Sequence, residues 1–131
     1  MKYMLMMNTM KAGTNGLEEW PPDALKAMIG FMMDLNKDLT ANGELVSAEG
    51  LSFPDQAKLV RAGANGVPVT DGIFPESKEF LAGFWIVDVD SPERAYAIAG
   101  KISTSPGPDG KPLNMDIEVR PMPSGVPEDF L

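Results

Sequence analysis

The sequence predicts an α+β domain of ferredoxin-like type, in the order strand, helix, strand, hairpin, strand, helix, strand. Three observations lead to this prediction. Short alternating apolar segments are separated by two segments whose apolar residues recur at helical spacing. An Asn-Gly turn signal lies between two further strand-like segments. The 131 residues include 13 Gly and 12 Pro, which indicates short elements joined by turns rather than a helical bundle.

The first half of the chain is predicted to supply a strand, a long helix and a second strand. Residues 2–8 alternate so that Tyr3, Leu5 and Met7 share one face, with Met4 and Met6 on the other. Proline at positions 21 and 22 can begin a helix that runs to about residue 41 and stops at Asn-Gly, and residues 44–49 can then return as a strand. The apolar stripe of the helix is formed by Leu25, Met28, Ile29, Met32, Leu35 and Leu39.

The second half is predicted to add the hairpin, a strand, a helix and a closing strand. Residues 56–62 and 67–70 flank the Asn-Gly turn, and Pro68 limits the second arm to an edge because proline cannot donate to a central ladder. Residues 83–89 follow as a strand that is apolar on both faces. Ser91 is predicted to cap the second helix. The buried stripe of that helix is Ala95, Ile98, Ala99 and Ile102.

Residues 115–120 alternate as the closing strand, so we take residues 1–123 as one domain and 124–131 as a C-terminal tail. Two helices cover only one face of such a sheet. The strands at 2–8 and 83–89 are apolar on both faces, and the second face therefore needs a partner. A second copy of the chain, packed sheet against sheet, would provide it, which predicts a homodimer.

Composition excludes several classes of function. The net charge of −8 disfavours nucleic-acid binding, which depends on Lys and Arg neutralising phosphates. The chain has no Cys and no His, which removes thiolate chemistry, histidine-assisted triads and the commonest zinc sites. No apolar segment approaches the roughly 20 residues that span a bilayer, and the N-terminus does not have the pattern of a signal peptide. We therefore expect a cytoplasmic protein with no cofactor and no membrane partner.

The stretch from Val69 to Trp85 is the most informative, because it places four ionisable groups in a turn that enters a very apolar strand. Its sequence Asp-Gly-Ile-Phe-Pro-Glu-Ser-Lys-Glu, residues 71–79, resembles the signature of the DGPF-domain branch of the YCII-related family. Residues 1–5, 42–51 and 118–121 look like the opening, second and closing strands of that family. Ile73 departs from the pattern, since the family usually has proline there.

The resemblance implies a dimeric α+β barrel formed by two ferredoxin-like βαββαβ domains, here with an inserted β-hairpin. It also implies similarity to accessory proteins associated with alternative sigma factors, so a sigma factor is a candidate protein partner. Some YCII-related proteins use a histidine and aspartate pair for acid-base chemistry. That pair cannot be carried over, because this chain has no histidine and has Ala41-Asn42-Gly43 where those relatives carry an acidic residue.

Asp71 and Lys78 are the candidate catalytic residues. Asp71 could act as a general base or a substrate anchor if dimer contacts desolvate it, or it could simply form the Asp-Gly turn. Lys78 could bind an anionic substrate group or act as a nucleophile. Alternatively, Lys78 forms exposed ion pairs with Glu76 and Glu79.

The candidate ligand-binding residues are Phe74, Glu76, Glu79 and Trp85. The two aromatic side chains either line a pocket or belong to the core and interface. Two carboxylates beside one lysine are weak support for a cation-binding site, so we predict no metal site. The leading hypothesis is a small-ligand-binding or accessory module. The alternatives are a cofactor-independent lyase, hydrolase or oxygenase, and a turn with a purely structural role at the dimer interface.

Overall fold

The computed structural model describes residues 1–9, 20–52, 56–72, 80–126 and 128–131. Within these ranges the helices and strands follow the predicted order. They are β1 (Lys2–Thr9), α1 (Pro22–Ala41), β2 (Leu45–Gly50), β3 (Lys58–Ala62), β4 (Pro68–Gly72), β5 (Phe80–Asp88), α2 (Pro92–Ser103) and β6 (Ile117–Met122). A short exposed 3-10 turn, Glu128–Phe130, lies in the C-terminal tail.

Four strands form one antiparallel sheet in the order β2-β5-β1-β6. Because β1 and β2 both run antiparallel to β5, they are parallel to each other, and α1 connects them. In the same way β5 and β6 both run antiparallel to β1, and α2 connects them. Two interleaved βαβ units of this kind are the ferredoxin-like arrangement, so the predicted fold class is confirmed. Strands β3 and β4 form the separate, inserted hairpin.

The strand limits differ slightly from the predicted ones because pairing with β1 fixes them. Strand β5 begins at Phe80, which lies opposite Thr9 of β1. The pairing register between the two strands shifts between Met7 and Asn8. Strand β6 continues to Met122, which lies opposite Lys2. The local alternation of residues in β5 or β6 does not reveal which residue of β1 each one lies opposite.

The start of α1 has no side-chain cap, whereas the start of α2 has one. Helix α1 has proline in its first turn, and Asn42 is its C-cap. Gly43 follows with φ of 73°, in the left-handed region that favours glycine. The Ser91 hydroxyl accepts a hydrogen bond from the Arg94 amide at 3.2 Å, which confirms Ser91 as the cap of α2. Neither helix of the described ranges is long and apolar enough to cross a membrane.

The core lies between the helices and one face of the sheet. It contains the predicted stripe of α2 in full, together with Tyr3, Leu5, Leu35, Leu39, Trp85, Val87 and Val89. The predicted stripe of α1 is wrong at Ile29, which is 47% exposed. Successive helical residues are about 100° apart, so Ile29 lies well to the side of the line through Met28, Met32 and Leu35.

The opposite face of the sheet is also apolar at its centre, as predicted. Met4 pairs with Ile86 and Met6 with Phe84, and all four are only half-buried. Glu118 and Arg120, both exposed, lie beside the methionines on β6. No described element covers this face, which we call the open sheet face, and its predicted homodimer partner stays a prediction.

Candidate functional site

A cavity of about 230 Å³ lies where α1 passes over the ends of β1, β2 and β5. Its apolar wall includes the side chains of Met7, Met28 and Met32 together with Ala48. Met28 and Met32 are one helical turn apart on α1, and Met7 reaches the same space from β1. Thioether side chains are flexible and polarisable, so such a wall can adapt to the shape of a bound molecule. We call this space the methionine cavity.

Backbone forms the side of the methionine cavity where β2 meets β5. Gly50 pairs with Gly83 there, and a Cβ atom built on Gly83 would lie 3.0 Å from the Glu49 carbonyl oxygen. A side chain at position 83 would therefore push the two strands apart. The glycine that precedes the aromatic pair Phe84-Trp85 is explained by this close approach.

The polar contact in the cavity wall joins Trp85 to α1. The indole Nε1–H of Trp85 donates to Oδ1 of Asn36 at 2.8 Å, and Trp85 is otherwise buried in the core. This bond fixes the orientation of both side chains, since Asn36 presents its oxygen to the indole and thereby turns its amide nitrogen away from it. Trp85, a predicted ligand-binding residue, thus lies in the wall of the cavity, and its role stays a prediction.

Sequence reasoning did not identify Asn36, although a signal exists. Asn36 is a polar residue four positions after Met32 and next to Leu35, at the margin of the predicted apolar stripe. A polar side chain in that position needs a hydrogen-bond partner. The identity of the partner depends on β5 crossing beneath α1, which no local pattern reveals.

Asp71 lies on β4 of the hairpin, which is a separate sheet from the one that carries Trp85. Its Oδ2 atom is 3.1 Å from Nη1 of Arg61, and its side chain is 64% exposed. The hairpin register places Arg61 opposite Val69, so Arg61 and Asp71 are diagonal neighbours on one face of the hairpin. The described residues of the same chain therefore do not provide the desolvation that Asp71 would need as a general base.

Four predicted site residues, Phe74, Glu76, Lys78 and Glu79, lie outside the described residues, within 73–79. Their roles stay predictions. Along the chain this segment directly precedes β5, whose residues 82–85 line the methionine cavity. In the part of the chain that the structure describes, no group of three or more acidic side chains could hold a metal ion.

A second, more polar groove of about 320 Å³ lies between the end of α1 and α2. Arg94, one of its cationic residues, is already engaged, because its Nε and Nη2 atoms each donate to a Glu44 carboxylate oxygen at 2.8 Å. The hydrogen bond from Arg94 lowers the pKa of the Glu44 carboxyl, although desolvation partly opposes this shift. The same bond raises the pKa of Arg94. This arrangement is a link between elements rather than a ready ligand site.

Comparison with models of known protein families gives a match to the YCII-related domain over residues 1–105. The matched region extends from β1 through α2, and it includes the methionine cavity, the hairpin and the segment with the Asp-Gly signature. No curated protein matches the sequence at a significant level.

Proposed function

Since this chain belongs to the YCII-related family, we propose that it is a homodimeric small-ligand-binding protein of the DGPF branch. The ligand site is the methionine cavity. One observation carries this proposal: Met7, Met28, Met32 and Trp85, from two strands and a helix, converge on one space that has a hydrogen-bonding amide, Asn36, in its wall. Apolar walls with a few placed polar groups are typical of small-molecule sites.

The dimensions and lining of the cavity indicate the kind of ligand. Its volume of about 230 Å³ is below that of most sites for drug-sized molecules, which favours a compact compound. The methionines and Ala48 favour an apolar body. Asn36 and the edge residue Glu49 favour a ligand with one or two polar groups directed toward the α1 and β2 sides.

The enzymatic alternative uses Asp71 as base and Lys78 as anion anchor. Ligand binding requires only groups that the described structure brings together, whereas catalysis requires Asp71 to leave its exposed contact with Arg61 and approach a substrate. The binding function is therefore the one we favour. An accessory role linked to alternative sigma factors is compatible with it, and its support is the resemblance of the signature at residues 71–79 to the DGPF branch.

Native mass spectrometry on protein purified gently from its source cells tests this proposal. We expect the chain to retain a discrete compound of low mass. In the Met28→Trp variant the larger side chain should fill part of the cavity, because Met28 is half-buried in its wall. Met33→Trp is the matched control, since Met33 lies on the same helix but is 66% exposed.

The expected result is retained compound in the wild type and in Met33→Trp, with occupancy at least about tenfold lower in Met28→Trp. Equal occupancy in both variants would place the ligand elsewhere. A wild-type protein that carries no compound, and that shows no change in unfolding temperature with any member of a library of small apolar compounds, would contradict the proposal.

A further inference from the structure

The β3–β4 hairpin presents apolar side chains to solvent. Every residue of β3 is exposed, and in β4 only Val69 is partly buried. Leu59, Val60 and Val67 are 55%, 62% and 61% exposed. Within the described residues, neither strand pairs with the four-stranded sheet.

Each face of this hairpin exposes an apolar side chain beside polar ones. Leu59 lies opposite Asp71 and Val60 lies opposite Thr70, so the two aliphatic side chains point to opposite faces. A two-stranded hairpin in water is marginally stable, and a covering surface is needed for independent stability. The regular register from Lys58–Gly72 to Ala62–Pro68 therefore implies a surface that the described part of a single chain does not supply.

The hairpin differs from the rest of the chain in the sign of its net charge. Residues 56–72 contain two cations, Lys58 and Arg61, and one anion, Asp71, which gives a net charge of +1. Because the whole chain has a net charge of −8, the residues outside this range carry a net charge of −9. An arm with net positive charge complements the strongly acidic body of a second copy, whereas a charge of +1 is too small for binding to a phosphate backbone.

We propose that the β3–β4 hairpin is a docking arm that packs against a second copy of this chain. The inference rests on the homodimer in the proposed function, and it adds a second contact to the one expected at the open sheet face. The chain leaves the sheet at Gly50 and returns at Phe80, so the arm departs from the end of the sheet that holds the methionine cavity. In a dimer with two-fold symmetry the contact is made twice, which doubles its effect on association.

The absence of cysteine allows a direct test by site-specific crosslinking. Ala64, an exposed residue at the hairpin tip, is changed to Cys and labelled with a photoactivatable crosslinker. Asn65 is avoided because its positive φ of 57° makes substitution there unfavourable. The labelled protein is mixed with isotopically labelled wild type so that crosslinks between chains are distinguished from those within one chain. Lys37→Cys, exposed on α1 on the helix side of the sheet, is the matched control.

We expect crosslinks between chains from Ala64→Cys and at least about tenfold fewer from Lys37→Cys. In parallel, the Leu59→Ser/Val60→Ser double variant should weaken dimerisation by about tenfold or more, whereas Met33→Ser should not.

The possible results separate this inference from the proposed function. A dimer whose hairpin crosslinks only within its own chain, and whose affinity is unchanged in the double variant, overturns the docking arm but leaves the homodimer intact. A protein that is monomeric at high concentration overturns both the arm and the homodimer, while ligand retention in the methionine cavity is still measured independently.

Discussion

At the scale of single residues, the contact between Trp85 and Asn36 connects the core to the candidate site. The indole ring is buried, and its N–H has a partner only because the Asn36 amide on α1 faces it at 2.8 Å. A buried N–H without a partner costs more than a hydrogen bond contributes. Asn36 also lines the methionine cavity, so one hydrogen bond both stabilises the core and fixes the orientation of a polar group in the cavity wall.

Trp85→Phe should lower the free energy of unfolding by about 2 kcal/mol, because it removes buried volume and the donor to Asn36. Asn36→Ala should cost about 1 kcal/mol, because it leaves the indole N–H unpaired. The double variant should lose less unfolding free energy than the sum of the two single-variant losses, since each single variant removes the same hydrogen bond. Urea unfolding of the four proteins measures this coupling, and strictly additive losses would contradict it.

At the scale of elements, the Glu44–Arg94 ion pair ties the start of β2 to the first turn of α2. Both nitrogen-oxygen distances are 2.8 Å, in the geometry of a two-point contact between guanidinium and carboxylate. The two elements are far apart along the chain. At the end of β5, just before α2 begins, the backbone N–H of Asp88 donates a hydrogen bond to the carbonyl oxygen of Glu44. The pair therefore fixes α2 against the edge strand of the sheet.

The lowered pKa of Glu44 predicts how this link depends on pH. A carboxyl whose folded-state pKa lies below its usual 4.5 adds stability above that value, and the stability is lost as pH falls through the lowered pKa. At neutral pH, wild type should exceed Glu44→Gln by at most about 1 kcal/mol in unfolding free energy, because the pair is partly exposed to solvent.

Chemical unfolding at neutral pH and at about pH 3 measures this difference, which should shrink at the acidic value because the stability from a lowered carboxyl pKa is lost progressively below 4.5. Asp34→Asn, at an exposed carboxylate on α1, is the control and should change stability by less than about 0.5 kcal/mol at either pH. A wild-type advantage that stays constant between the two values would mean that the Glu44 charge is not its source.

At the scale of the whole molecule, the open sheet face and the hairpin both present apolar surface outside the core. Met4, Met6, Phe84 and Ile86 form cross-strand pairs at the centre of that face. The two helices pack on the other side of the sheet, where the core lies. Two aligned sheets can pack face to face with interdigitated side chains, which is the assembly we expect for two copies.

Ile86→Lys should therefore shift the protein from dimer to monomer, because a charge at the centre of an apolar interface must be desolvated without a partner. We expect the dissociation constant to rise by at least about 100-fold, measured by sedimentation across a concentration series. Tyr96→Lys, at an exposed residue of α2, is the matched control. A variant that keeps its circular dichroism spectrum and remains dimeric at low concentration would exclude this face as the interface.

Much of the fold could be predicted from local patterns. The caps at Ser91 and Asn42-Gly43, the hairpin turn and the buried stripe of α2 each depend on residues close in sequence, and the structure confirms them. The prediction for Ile29 was wrong because an apolar residue at the margin of a helical stripe is buried only if a neighbouring element covers it. The candidate site was predicted less well, since the approach of Met7 and Asn36 to Trp85 depends on contacts between distant segments.

The order of elements, the ferredoxin-like class and the exclusion of thiolate and histidine chemistry could all be predicted without a structure, because periodicity, turn residues and composition are properties of the chain alone. Three features became visible only in the folded chain: Trp85 donates a hydrogen bond to Asn36, three methionines share one cavity, and Asp71 pairs with Arg61 on an exposed hairpin. Those outcomes depend on strand order and register, and these are set when the whole sheet closes over its core rather than by any local run of residues.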